Sequence, residues 1–267
     1  MIRDITIGQY YKADSVIHRL DPRVKLMGTL IFIISLFMGM NIWIYAVVTV
    51  ALAVVIKMSR IPLKFMVRGL KSIVILIIIS AVFNLFLTPG DVLIQIWKLT
   101  ITYQGLKMAI FMVVRLIYLI VGTSLMTLTT TPNNLTDGLE KGLGFLKVIK
   151  VPVHEIAMMM SIALRFIPIL IEETDKIMKA QMARGADFEN GSLIKRAKAM
   201  VPILVPLFVS AFRRANELAM AMEARCYHGS EGRTKMKPLK YEKRDRIAYI
   251  SMVLYLGVII IVKILAA

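Results

Sequence analysis

A single cysteine, Cys226, in 267 residues excludes an internal disulfide. The only histidines, His18, His154 and His228, stand in separate segments and leave no ligand set for a catalytic metal. "HEIAM" at 154–158 opens like a zinc-protease helix, but the second histidine position holds Met158. Helix initiation is the better role for His154-Glu155, since an acid in the first turn complements the helix dipole. No Walker A loop, GxSxG elbow or dinucleotide fingerprint occurs, so no catalytic residue, cofactor site or ATP hydrolysis is expected of the chain itself. Acids are also scarce, with 17 Asp and Glu against 34 Lys and Arg and a net charge of +17.

Apolar residues dominate what remains. They make up 58% of the chain, the mean hydropathy is +0.71, and the excess lies in long uncharged runs. That composition belongs to a membrane protein. The basic residues flank the apolar runs, which points to cytoplasmic loops and anionic membrane lipids. Nucleic acid is not expected, because no basic stripe is interleaved with stacking aromatics. The first 25 residues are charged throughout and lack an apolar core, so no cleavable signal peptide is expected.

Residues 26–56 form one apolar stretch with basic segments on both sides. At about 1.5 Å per residue it exceeds the roughly 30 Å hydrocarbon thickness. Equal charge on both flanks requires an even number of crossings, so two short spans are predicted, turning near Gly39-Met40-Asn41 with Trp43 and Tyr45 as interface anchors. Between 57 and 71, five basic residues recur at steps of 3, 4, 4 and 3. That spacing is one face of an interfacial helix, with Pro62 tolerated near its start. A third span covers 72–87 and ends at the turn signal "TPGD"; residues 91–105 stay outside or dip into the membrane. A fourth span, 106–128, carries Arg115, for which snorkelling or pairing inside the bundle is favoured over substrate binding.

After "TTTPNN" the chain becomes charged in both signs. Two apolar runs remain, 156–171, interrupted by Arg165 and Pro168, and 201–212, bent at its start by Pro202 and Pro206; two long helices are predicted, 153–184 and 192–225, lying along and below the cytoplasmic face. A clean last span occupies 247–265. The expected fold is an all-α integral membrane protein with about five transmembrane helices and long cytoplasmic helices. Residues 1–131 would form an N-terminal membrane domain of four spans, 132–246 the cytoplasmic region, and 247–267 the last transmembrane helix.

The sharpest internal echo is "AQMARGADF" at 180–188 against "AMEARCYHG" at 221–229. Each closes a helix-forming stretch with acids early and bases late, and Arg184 and Arg225 stand 41 residues apart. A lone C-terminal arginine ordinarily complements the helix dipole. A matched pair flanked by alanine and methionine suggests two exposed tips for two equivalent sockets. Small residues permit close approach, methionine adapts to a groove, and arginine offers a rigid donor fork for carboxylates and carbonyls.

"HRLDPRVKL" at 18–26, "TTTPNNLTDGLE" at 129–140, "VPVHEIAMMMSIALRFIPILIEETDKIMKAQMARGADF" at 151–188, "VPILVPLFVSAFRRANELAMAMEARCYHG" at 201–229 and "SEGRTK" at 230–235 follow one another along nearly the whole chain. In these blocks the sequence resembles the transmembrane T component of energy-coupling factor (ECF) type ABC vitamin transporters. The resemblance implies a non-enzymatic scaffold in the cytoplasmic membrane of a prokaryote, with its N-terminus in the cytoplasm. It would join two cytosolic ABC-type ATPase subunits to a small membrane-embedded substrate-binding subunit. Carried over, Ala183, Arg184 and Gly185 form one ATPase-binding tip of the coupling helices, and Ala224, Arg225 and Cys226 the other. Cys226 departs from the family pattern, which has glycine there, and would cost about 1–2 kcal/mol in a left-handed conformation.

Two rival readings have less in the sequence to support them. A conventional ABC importer permease would line its own path with polar groups, and the spans offer little beyond Asn84, Arg115 and scattered Ser and Thr. A membrane-embedded enzyme would cluster His, Asp or Glu at membrane depth. The charge pattern makes a direct prediction: single-cysteine labelling reaches residues 60, 140, 190 and 235 only from the cytoplasmic side and residue 90 only from outside. External labelling at 60 or 190 would refute the five-span topology.

Overall fold

A computed structural model describes residues 10–71, 73–96, 99–186, 188, 192–229 and 238–265. Leu139–Pro238 form one compact unit, and Gly8–Gly138 with Leu239–Ala267 form the other.

In the second unit, helix α1 (Pro22–Phe37) starts where Asp21 accepts a hydrogen bond from the Arg23 amide and Pro22 supplies a preset first turn. Helix α2 (Ile42–Ser59) is capped by Asn41, which accepts from the Trp43 amide. The expected division of the 26–56 run near Gly39-Met40-Asn41 is thus observed. The single interfacial helix expected over 57–71 is instead split. α2 ends at Ser59 with Lys57 in its last turn, Arg60 adopts a left-handed φ of 55°, and α3 (Leu63–Lys71) begins only after Ile61-Pro62. Pro62 supplies no amide proton and disfavours helical backbone at Ile61, so the helix breaks there.

Helix α4 (Val74–Leu87) follows α3 with a bend of 64° between them. The 91–105 segment, expected to stay outside or dip into the membrane, holds an antiparallel pair of β1 (Val92–Ile96) and β2 (Leu99–Thr102). Alternating β-branched residues account for it. Thr102 closes the second strand and caps α5 (Tyr103–Thr129) by accepting from the Gly105 amide. Then come α6 (Pro132–Gly142), a short 3-10 turn over Gly144–Ile149, α7 (Val153–Ala183), α8 (Leu193–Glu223) and α9 (Lys243–Leu265).

By length and apolarity, α2, α5, α7 and α9 can each cross a membrane, and the bent pair α3–α4 makes a fifth if it is one span. The expected number of about five is met, with a different membership. α1, at 16 residues, is short for a full crossing. α7 enters through its apolar first half, although Glu172, Glu173, Asp175, Lys176 and Lys179 load its second half. Both expected long helices are present, with Pro168 inside α7 and Pro202 and Pro206 inside α8.

The packing is inverted relative to a water-soluble protein. α9 exposes Ile250, Val253, Leu254 and Ile261 while it buries Asp245. Apolar side chains therefore face the surroundings and polar groups turn inward, as lipid demands. Two apolar clusters fill the interior of this unit. One joins Leu52 of α2 and Met66 of α3 to Val121, Leu125 and Leu128 of α5. The other joins Leu36 of α1 and Ile44, Tyr45 and Val48 of α2 to Ile259 of α9. Gly122 lets α5 approach α1, since a β-carbon there would run into the Phe32 ring. Arg115 is buried on α5 and pairs within the bundle: its Nε donates to the Tyr45 hydroxyl at 3.0 Å, and its guanidinium lies 5.1 Å from the Phe37 ring centroid.

A buried polar knot fastens three helix ends. Lys25 Nζ donates to the His18 carbonyl at 3.0 Å and to the Thr129 carbonyl, at the end of α5, at 2.8 Å. Asp245 accepts from the Asp21 amide at 2.9 Å and the Glu242 amide at 2.8 Å, tying the start of α9 to the start of α1. Arg23 pairs with Asp21 at 2.9 Å and covers the Tyr241 ring at 3.8 Å. Removing Asp245 orphans two amides, and a buried unsatisfied group costs about 1–3 kcal/mol. Asp245→Ala should therefore lower the thermal midpoint of the detergent-solubilised chain markedly, and Asp245→Asn, which keeps one acceptor, should lower it less. Equal midpoints for wild type and alanine variant would show that the knot does not hold the bundle.

Candidate functional site: two matched helix tips

The six residues singled out in the sequence sit at the ends of α7 and α8, both in the Leu139–Pro238 unit, and all six are exposed. α7 starts with Glu155 in its first turn, as expected, and His154 Nδ1 lies 2.9 Å from Glu140 Oε1. Among the described residues no group of three His, Cys, Asp or Glu side chains could hold a metal ion.

The two tips are built alike, bond for bond. At the end of α7 the Gln181 carbonyl accepts from the amides of Arg184 and Ala186, each at 3.0 Å, and the Met182 carbonyl accepts from Gly185 at 2.9 Å. At the end of α8 the Met222 carbonyl accepts from Arg225 and Tyr227, each at 3.1 Å, and the Glu223 carbonyl accepts from Cys226 at 2.9 Å. Both are Schellman caps, in which a left-handed residue turns the chain so that the last carbonyls are satisfied. Gly185 has φ 88° and Cys226 has φ 54°. Cysteine therefore occupies the conformation that glycine occupies in the first copy.

Because the caps satisfy these carbonyls through the backbone, the arginines are not needed for that task. Among the described residues neither Arg184 nor Arg225 has an ion-pair or side-chain hydrogen-bond partner. Each presents its donors outward, with Met182 and Met220 exposed beside them. The arrangement can engage a carboxylate or a row of carbonyls on a facing surface.

α7 and α8 are linked by contacts that run in opposite order along the two helices. Glu173 pairs with Arg214 at 3.3 Å, and Gln181 Nε2 reaches the Pro202 carbonyl at 3.4 Å. The second contact has a local cause. Pro206 has no amide proton, which leaves the Pro202 carbonyl without its helical donor, and Gln181 reaches across to it. With the order reversed, the two tips fall at opposite ends of the pair rather than side by side. Arg225 stands 23 residues beyond Pro202, a separation of up to about 35 Å of helix. Neither link was legible in the sequence. Glu173 and Arg214 do stand 41 residues apart, the same interval that separates the arginines, and that was the available signal. The quoted stretch at 230–235 lies outside the described residues.

Comparison with known proteins covers nearly the whole chain. Residues 13–236 match the family described as "Cobalt transport protein" (CbiQ). The energy-coupling factor transporter transmembrane protein EcfT of Clostridium kluyveri is 57% identical over 250 residues, 93% of each chain. The protein of the same name from Thermosediminibacter oceani is 56% identical over 250 residues, 94% of each chain. That of Bacillus subtilis is 47% identical over 254 residues, 95% of this chain and 96% of its own.

The left-handed conformation at Cys226 carries a testable cost. Cys226→Gly should stabilise the end of α8 by about 1 kcal/mol. It is read as slower amide hydrogen exchange at Tyr227, and Cys226→Val should speed that exchange. Identical protection in all three proteins would show that the cap is not strained.

Proposed function

The chain belongs to the CbiQ family of cobalt transport proteins, and from that premise we propose that it is the transmembrane scaffold of an ECF-type ABC importer. Its partners in this reading are two cytosolic ABC-type ATPase subunits and a small membrane-embedded substrate-binding subunit that takes up a vitamin. The chain catalyses nothing itself. It resides in the cytoplasmic membrane of a prokaryote, with its N-terminus and the C-terminal tips of α7 and α8 on the cytoplasmic side. The single observation that carries the reading is the pair of equivalent Schellman caps, each presenting an arginine with no partner among the described residues.

A dimeric motor offers the same groove twice, and two copies of one tip fit it. Ala183-Arg184-Gly185 enters one ATPase and Ala224-Arg225-Cys226 the other. When ATP draws the two ATPases together, the tips move together, and the linked helices α7 and α8 carry that displacement toward the membrane. There it reaches the substrate-binding subunit, which tips within the bilayer. Names of the relatives, an energy-coupling factor transporter transmembrane protein in each case, support the assignment.

Truncating one partner of a buried, hydrogen-bonded charge pair costs about 2–5 kcal/mol. Arg184→Ala or Arg225→Ala alone should therefore weaken ATPase co-purification or uncouple hydrolysis, and the double variant should abolish vitamin uptake in proteoliposomes. Arg→Lys should rescue only in part, because a point charge replaces the fork. The thermal midpoint of the isolated chain should not move, since both arginines are exposed and unpartnered. Wild-type uptake by the double alanine variant, with its ATPases still bound, would end this reading.

A further inference from the structure

Where the N-terminal segment, the end of α2 and the start of α9 meet, the surface is hollowed into a cavity of about 600 Å³. Four cations line it, Arg19, Lys57, Arg60 and Arg244, against one carboxylate, Asp14. Arg19 is consumed by Asp14, to which its Nε donates at 2.6 Å. Arg244 touches Glu242 at 2.9 Å through a terminal nitrogen, while its Nε is buried with no partner. Lys57 and Arg60 make no ion pair at contact distance among the described residues, although the Asp14 carboxylate, already bound to Arg19, also feels Arg60.

Local stability does not explain this cluster. Lys57 suits the C-terminal end of α2, but Arg244 lies in the first turn of α9, where the dipole disfavours a cation. Asp245, the acid of that turn, is committed to the Asp21 and Glu242 amides. Positive potential therefore accumulates around a hollow. Val16 and Met58 also line the cavity and are 52% and 43% exposed, an apolar flank beside the charges. The helices that supply the walls, α2 and α9, are apolar enough to cross a membrane.

We propose that this cavity binds a phosphate group, and that the group is the headgroup of an anionic phospholipid whose glycerol and first acyl carbons lie along Val16 and Met58. The phosphodiester oxygens accept from Lys57 Nζ and the Arg60 guanidinium, with Arg244 adding its charge from the wall. Basic pockets between membrane helices take anionic headgroups in this manner. The apolar flank is the reason to prefer a lipid over free phosphate, which would gain nothing from it.

The test places the full chain in nanodiscs of phosphatidylcholine with a minority of phosphatidylglycerol and counts retained lipid by native mass spectrometry. Lys57→Gln/Arg60→Asn empties the cavity of its unpaired cations, and asparagine tolerates the left-handed backbone at 60. Lys64→Gln/Lys71→Gln removes the same charge from α3, outside the cavity. Selective retention of phosphatidylglycerol should fall roughly tenfold or more in the cavity variant, as expected for two juxtamembrane cations. It should persist in the α3 variant and in Arg60→Lys. A parallel arm measures inorganic phosphate binding in detergent by equilibrium dialysis. Equal retention of both lipids, with phosphate bound by wild type and not by the cavity variant, would keep the phosphate site and overturn the lipid. Equal losses in the two double variants, or no selectivity and no phosphate binding in wild type, would overturn both. Matching thermal midpoints across the variants confirm that each is folded.

Discussion

Hydrocarbon offers no hydrogen bonds, so every polar group at the core of this bundle has to be answered from within the chain. The amine of Lys25 and the carboxylate of Asp245 meet that demand at one place. Lys25 bonds the last turn of α5, and Asp245 bonds the amide preceding α1. Three helices whose outer faces are greasy and unspecific are thereby fixed by a handful of directional bonds. Apolar packing then sets how closely they lie, with Phe32 seated over the bare backbone of Gly122. Lipid competes poorly for such bonds, and it competes well for leucine and isoleucine contacts. The polar end therefore defines the arrangement that the apolar clusters fill.

The long elements were legible because their signals are long. The bounds of α7 and α8 fall within two residues of those read from the charge pattern, and the turn between α1 and α2 falls where two basic flanks demanded an even number of crossings. The breaks were less legible. A five-step basic periodicity across 57–71 looked like one helix face, and Ile61-Pro62 overrode it through backbone restriction alone. The hairpin at 92–102 was missed because four- and five-residue strands carry too little periodicity to register.

At the candidate site the tip residues could be read directly, since a repeated tripeptide at helix ends needs no tertiary knowledge. Their placement at opposite ends of the helix pair could not, because it rests on Glu173–Arg214 and Gln181–Pro202, which join residues 41 and 21 positions apart. The buried knot was equally hidden: Asp21 and Asp245 are separated by 224 residues, and each alone reads as an ordinary helix-start acid. The prolines of α8 have a consequence outside their own helix. Pro206 removes a bond from its own helix, and the freed Pro202 carbonyl becomes an attachment point for α7 while the helix continues.

Cys226 is the only thiol in the sequence, it is exposed, and it lies one residue beyond Arg225 at the end of α8. The chain consequently carries its own reporter position. A maleimide dye or nitroxide would attach there and nowhere else, without any substitution. Its emission or line shape would register whatever approaches the end of α8, and the matching end of α7, which has glycine in that place, would stay silent.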